Sequence, residues 1–442
     1  MFGRRVPMSE VTAGLIGLAV LLGLFLTGIE LSFCMTIVGF VGFAYLSSFS
    51  AASNLVVKDF FDTFTSYGYT VIPLFVLMGQ IASNSNIAKR LYTAAHKWVG
   101  HVSGGLAMTT VVGATIFKAM CGSTLATVAT FSSIAIPEMD RHGYDRRLST
   151  GVVASVGTIG MLIPPSIVLI IYGIIVEQSI GRLFLAGIVP GLLISFFFMC
   201  VVYGWVKINP TMAPRSEKES WKERIKVLPD FLWVGVIFFI VIGGLMAGKF
   251  SPTEAGTIGT VAVLMLAFVK REVNFKMLIK SFDESMRTAV MTLLLIAGSV
   301  VLGHFLTITE IPFITADYVT GLPIPRWMVM VLIILVYLIG GSFIDDLAFM
   351  ILATPIFYPA VIKLGYDPIW FGIMIGITIM IGVIIPPVAI CVFIVRNITG
   401  IPFNVIYKGV LPFLLALFAC AFLLFLFPQI ALFLPNFFMG VG

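Results

Sequence analysis

The chain has 442 residues, of which 59% are hydrophobic and 11% charged, with a mean hydropathy of +1.09. Soluble domains run at roughly 45–50% apolar and about 25% charged, so this composition excludes a soluble globular protein and indicates a polytopic protein of the lipid bilayer. The formal net charge of +6 suits basic loops beside anionic headgroups. The positive residues form no aromatic-interleaved patch, and no nucleic-acid partner is expected.

In chain order, Arg4 and Arg5 precede an apolar run at 11–26 that is followed at once by a second at 31–45. Ser32-Phe33-Cys34 carries the chain onward without a cleavage signal, so the first run reads as a retained helix. A hydrocarbon core of about 30 Å takes about 20 apolar residues. Further candidate spans are 183–206, 231–247, 256–269 and 411–426, the shorter of which need flanking residues to complete a crossing. Segment 207–226 holds Lys207, Arg215, Lys218, Lys222, Arg224 and Lys226, and segment 270–287 holds Lys270, Arg271, Lys276, Lys280 and Arg287. Lys and Arg accumulate in short cytoplasmic connections, and two spans separate these loops, so both are expected on the cytoplasmic side. Glu254, in Thr253-Glu254, is placed to cap the following span at its first turn.

Cys34, Cys121, Cys200, Cys391 and Cys420 are odd in number and lie in apolar surroundings, which argues for packing residues and against a disulfide framework. His96, His101, His142 and His304 lack metal-ligand spacing. No P-loop, His-Glu-x-x-His or Gly-x-Ser-x-Gly occurs, which removes the usual sequence grounds for an ATPase, a zincin or a serine hydrolase.

The most informative pattern is an internal repeat. Pro164-Pro165 returns 222 residues later as Pro386-Pro387, and at the same offset Gly160 returns as Gly382, Pro137 as Pro359, Gly187-x-x-Pro190 as Gly409-x-x-Pro412, and Gly143-Tyr144-Asp145 as Gly365-Tyr366-Asp367. Each repeat opens with an apolar run interrupted by polar or glycine residues: 106–120, then Cys121-Gly122-Ser123-Thr124, then 125–136; and 327–339, then Gly340-Gly341-Ser342-Phe343-Ile344-Asp345-Asp346, then 347–362. Each half is shorter than a span, so each pair is expected to form a helical hairpin that enters and leaves on one side. A pair of plain loops between short helices is the competing reading. Irregular backbone at membrane depth survives only where protein or a water-filled cavity satisfies it.

The Pro-Pro elements extend this reasoning. A proline lacks an N–H, so Pro164 and Pro165 deprive the carbonyls of Gly160 and Met161 of their helical partners, and Pro386 and Pro387 do the same to Gly382 and Val383. Freed carbonyls in a low-dielectric setting need a donor, a water or a cation. The half-helix that restarts beyond each break offers N–H groups and a positive dipole end to an anionic group. Paired broken helices in two halves are how secondary transporters build ion and solute sites near the bilayer midplane.

These residues resemble the large membrane subunit of tripartite ATP-independent periplasmic (TRAP) transporters over nearly the whole chain. The similarity is carried by Cys121-Gly122-Ser123-Thr124-Leu125-Ala126, by Pro137-x-Met139 through Gly143-Tyr144-Asp145, and by Gly160-Met161-Leu162-Ile163-Pro164-Pro165-Ser166-Ile167. It continues through 183–191, Phe250-Ser251-Pro252-Thr253-Glu254-Ala255 and Asp367-Pro368-x-Trp370-Phe371-Gly372. The resemblance implies an all-α, inverted-repeat, elevator-type secondary transporter of the bacterial inner membrane, with two re-entrant hairpins and two Pro-Pro broken helices. It also implies a small four-helix membrane subunit as a separate chain, a periplasmic substrate-binding protein, and an organic anion such as a C4-dicarboxylate or sialic acid as solute. Sodium is implied as the coupling ion, usually at two sites.

By residue-wise carry-over, the first cation site draws on Cys121, Ser123, Gly160, Ile163 and Pro165, and the second on Gly340, Gly341, Gly382 and Ile385. The solute is expected to meet Ser123, Thr124 and Ser166 in the first repeat and Ser342 and Asp345 in the second. The chain divides into N-terminal scaffold helices (1–100), the first hairpin and break (101–208), basic loops with scaffold helices (209–325), and the second hairpin, break and last span (326–442).

Three positions depart from the family pattern. Cys121 stands for a usual serine, Ile385 for a common threonine, and Lys118 occupies a position that is usually small or polar. An intramembrane lysine is a functional hypothesis by default. One reading has its ammonium substitute for the first cation, making transport proton-coupled or singly sodium-coupled; the alternatives are pairing with the solute carboxylate, snorkelling, or pairing with Asp345 or Asp346. Adjacent Asp345 and Asp346 would raise one carboxyl through repulsion and desolvation, which suits a proton carrier and equally a hairpin tip wetted by solvent. Arg396 lies too far past Pro387 for solute contact and is expected to snorkel. A stand-alone elevator symporter and a structural or enzymatic membrane subunit are the competing functions.

Overall fold

The computed structural model describes residues 9–214 and 218–440, with the side chain of Asp346 outside the description; Arg4, Arg5 and Arg215 also lie outside the described residues. The described chain is helical. Helices long and apolar enough to cross a membrane are Ile180–Ile208, Trp221–Met246, Pro252–Val269, Phe275–Ile308, Arg326–Phe343 and Phe403–Leu426, and a bent pair, Phe49–Thr65 with Tyr67–Asn84, adds a seventh. The chain is a multi-pass membrane protein.

The first two apolar runs form Glu10–Leu26 and Leu31–Leu46, which are short for a crossing and pack against the long helix Phe275–Ile308. That long helix begins with Lys276, Lys280, Asp283, Glu284 and Arg287, so the charge of its first half hides its length from hydropathy. Helix Pro252–Val269 starts from a capping box: Ser251 accepts from the Glu254 N–H at 3.3 Å, and Glu254 accepts from the Ser251 N–H at 2.7 Å.

The basic loops meet at one end of the molecule. From helix Ile87–Val99, Arg90 pairs with Glu272 and Lys97 with Glu223, while Lys270 reaches Asp230 at 2.7 Å. The Lys97 ammonium, hydrogen-bonded to Glu223, holds that carboxyl below the usual range. Segments 207–226 and 270–287 therefore share a side.

The repeat is visible in the backbone. Gly143 and Gly365 take φ of 73° and 78°, a left-handed conformation open to glycine, and turn the chain so that Asp145 and Asp367 cap the next helices. The helices that follow are Arg146–Val156, tightening into Gly157–Met161, and Pro368–Gly382. Both stop before their Pro-Pro pair, and the chain restarts as Ile167–Ile175 and Ile390–Thr399.

Candidate functional site

Two helix pairs frame the site. The first is Gly105–Lys118 with Thr124–Arg141, and the second is Arg326–Phe343 with Asp346–Lys363. The 222-residue offset reaches back to the tips, where Ser123 matches Asp345. Both cap the returning helix: Ser123 accepts from the Ala126 N–H at 3.3 Å and Asp345 from the Ala348 N–H at 3.4 Å. The second interruption is shorter than its sequence suggests. Gly340, Gly341 and Ser342 stay helical, and the helix ends at Phe343. Gly340 presents bare backbone to the Phe349 ring, where any Cβ would collide.

Each tip packs on its own break. At the first, a Cβ on Gly122 would overlap the Pro165 carbonyl oxygen, and one on Gly187 would overlap that of Leu162. At the second, a Cβ on Gly382 would lie 2.9 Å from the Gly341 carbonyl, and the Val388 N–H donates to the Ser342 carbonyl at 3.4 Å. One carbonyl before each proline pair, Met161 in the first half and Val383 in the second, finds a donor within the protein. Ser166 Oγ donates to the Met161 carbonyl at 2.6 Å, and its oxygen accepts from the Leu169 N–H at 3.3 Å. Val388 stands in the matching place of the second half, and the Val383 carbonyl accepts from the Cys391 N–H at 3.2 Å instead.

A cavity of about 390 Å³ lies between the two tips and the scaffold helices. Ser123, Thr124 and Asp345 line it, Thr288 and Thr292 face it from the long helix, and Glu30 borders it from the loop between the first two helices. Three helices begin at its wall, since Thr124, Ile167 and Leu347 are all lining residues from first turns. Their N–H groups and dipoles favour negative charge. Among the described residues, no Lys or Arg lines it.

Other residues singled out by sequence sit behind this wall. Ser166 is fully buried and committed to its two backbone bonds, and Ser342 donates to the Ile339 carbonyl at 2.7 Å. Cys121 is buried under Gly79, with the Thr127 hydroxyl donating to its sulfur at 3.9 Å. Gly160, Ile163 and Pro165 are buried at the first break, whereas Ile385 is partly exposed and Pro386, Pro387 and Val388 are exposed at the second. Lys118 is fully buried, and its Nζ donates to the Ser123 carbonyl at 3.0 Å. Arg396 lays its guanidinium 4.2 Å from the Phe403 ring centroid, away from the cavity.

The scaffold wall, Thr288, Thr292 and Glu30, carries no motif of its own. The one sequence signal for it is the cluster of threonines in an otherwise apolar stretch of the long helix.

Comparisons with known proteins place this arrangement. Residues 18–430 match the family described as tripartite ATP-independent periplasmic transporter, DctM component. The chain is 36% identical over 394 residues to a C4-dicarboxylate TRAP transporter large permease protein DctM of Pseudomonas aeruginosa, covering 88% of this chain and 91% of that one. It is 32% identical over 422 residues to the sialic acid TRAP transporter large permease protein SiaM of Vibrio cholerae, covering 95% and 98%. Among solved structures, the Alcanivorax borkumensis YdaH transporter shares the fold, with a TM-score of 0.61 at 13% identity over 86% of this chain and 89% of that one. The chain belongs to the TRAP transporter family as its large permease, the DctM component.

Proposed function

We propose that this permease carries a small organic anion, a C4-dicarboxylate or a sialic-acid-like carboxylate, into the cell across the bacterial inner membrane. A sodium gradient drives it, and the two helix pairs move as part of an elevator-type transport domain against the scaffold. The observation that carries this reading is the cavity on which both tips and three helix N-termini converge. With no basic side chain among the described residues of its lining, an anion there is neutralised by helix ends and by cations at the breaks. Main-chain oxygens of Gly341 and Gly382 suit an alkali cation at the second break, because bare backbone approaches bare backbone there. A small membrane subunit completes the scaffold, and a periplasmic binding protein delivers the solute.

The test is uptake of radiolabelled succinate or sialic acid into proteoliposomes holding the permease with its small subunit, with and without binding protein. Accumulation that needs the binding protein and an inward sodium gradient is expected. Uptake without the binding protein would favour a stand-alone symporter, and uptake indifferent to sodium would refute sodium coupling.

A further inference from the structure

Lys118 ends the first helix of the first pair, wholly buried, with its Nζ donating to the Ser123 carbonyl at 3.0 Å. Its side chain lies over Gly160 so closely that a Cβ there would come within 2.7 Å of Cε and closer to Nζ. At the same offset in the second half stand Gly340 and Gly382. The two backbone frames match, and one of them holds a lysine side chain where the other has glycine.

We propose that the Lys118 ammonium is a built-in cation filling the first break-and-tip site, so that only the second site exchanges an ion with solution. This rests on the cation-coupled reading above. The residues at the first break do not fit a free sodium ion. Ser123 offers its carbonyl to Lys118, Ser166 covers the Met161 carbonyl, and the space over Gly160 is taken by the lysine stem. A second positive charge within a few ångströms in a buried site is repelled strongly. Access agrees with this assignment. The first break, from Gly157 through Tyr172, is buried throughout, whereas Pro386, Pro387 and Val388 are exposed at the second. A tethered ammonium needs no route in or out, and an exchanging ion does. Ser123 both receives the ammonium and lines the cavity, so a fixed positive charge supports the solute-facing tip in every transport state.

The test is a sodium titration of the purified permease at constant ionic strength, with choline as replacement, reading melting temperature and bound radiolabelled sodium. An ion that binds only the folded state raises the melting temperature in proportion to ln(1 + [L]/Kd). Wild type is expected to bind no more than one sodium per chain, and Lys118→Ser to bind one more, with a second saturable rise in melting temperature. A Lys118→Ser titration that overlays wild type overturns the proposal. If that variant does not fold, wild type decides alone: two bound sodium ions overturn the proposal, and one or none sustains it. Gly160→Ala gives an independent readout, since it should lower the melting temperature in wild type and be tolerated beside Lys118→Ser; an equal penalty in both backgrounds overturns the seating of the ammonium. None of these readouts needs a solute, so a failure of all carboxylate uptake would defeat the functional reading and leave the ion count standing.

Discussion

The two breaks share a backbone and differ in what fills it. Leu162 and Ile163 N–H groups donate to the Ile159 carbonyl at 3.2 and 3.1 Å, and 222 residues on Ile384 and Ile385 donate to the Ile381 carbonyl at 3.2 and 3.1 Å. Around these matched turns, Lys118 faces Gly160 in one half while Gly340 holds the equivalent position in the other. Ser166 satisfies the Met161 carbonyl where Val388 has no hydroxyl to give. The first break is buried throughout, whereas the second exposes Pro386, Pro387 and Val388. The repeat thus fixes where the chain bends, and side chains fill one bend and leave the other unfilled, which is the contrast behind the proposed static and exchanging roles.

Substitutions at three positions probe that contrast, and one at a fourth serves as a control. Asp345→Ala removes the cap and the carboxylate from the second tip, and uptake should fall by at least about tenfold. Removing the cap alone costs about 1 kcal/mol, so Asp345→Ser, which keeps a capping oxygen, should fold like wild type and still transport poorly. Equal transport by wild type and Asp345→Ala would count for a structural role of the tips. Next, Gly382→Ala forces a Cβ against the Gly341 carbonyl and should cost about 1–3 kcal/mol through overpacking, seen as a lower melting temperature with weakened sodium response.

Ser166→Val copies the second half into the first. It strips the Met161 carbonyl of its donor, and the expected loss is about 1–3 kcal/mol for an unsatisfied buried group. A neutral result would mean that the first break tolerates the open arrangement of the second. The smallest effect is expected away from both breaks. Lys97 lowers the Glu223 carboxyl, so this pair's contribution is present above the unfolded carboxylate pKa and is lost as pH falls through the lower folded value. Glu223→Gln should flatten that acid limb slightly and leave the melting temperature at neutral pH nearly unchanged, as exposed pairs contribute little.

Much of this was legible in the chain because the repeat punctuates it with glycine, proline and aspartate. Gly143 and Gly365 mark the left-handed turns, Asp145 and Asp367 mark the caps, and the Pro-Pro pairs mark where the helices stop. The Ser251–Glu254 cap followed from local chemistry alone. The second tip was harder to bound, because Gly340-Gly341 reads as a breaker but packs as helix against Phe349. The cavity's far wall was hidden for a different reason. Thr288, Thr292 and Glu30 reach it through packing between segments far apart in sequence, and no local pattern encodes that. Ser166 and Ser342 carry hydroxyls at suggestive places, yet local backbone carbonyls take both. Asp346, invoked as a proton carrier, lies with its side chain outside the described residues.

The most direct test of the central claim, that solute passes through the cavity between the tips, is uptake by Thr288→Trp. The indole would fill the cavity from the scaffold helix without substituting any residue of the caps or breaks. The account predicts a folded, sodium-responsive protein that no longer accumulates the carboxylate. Undiminished uptake by that variant would contradict it.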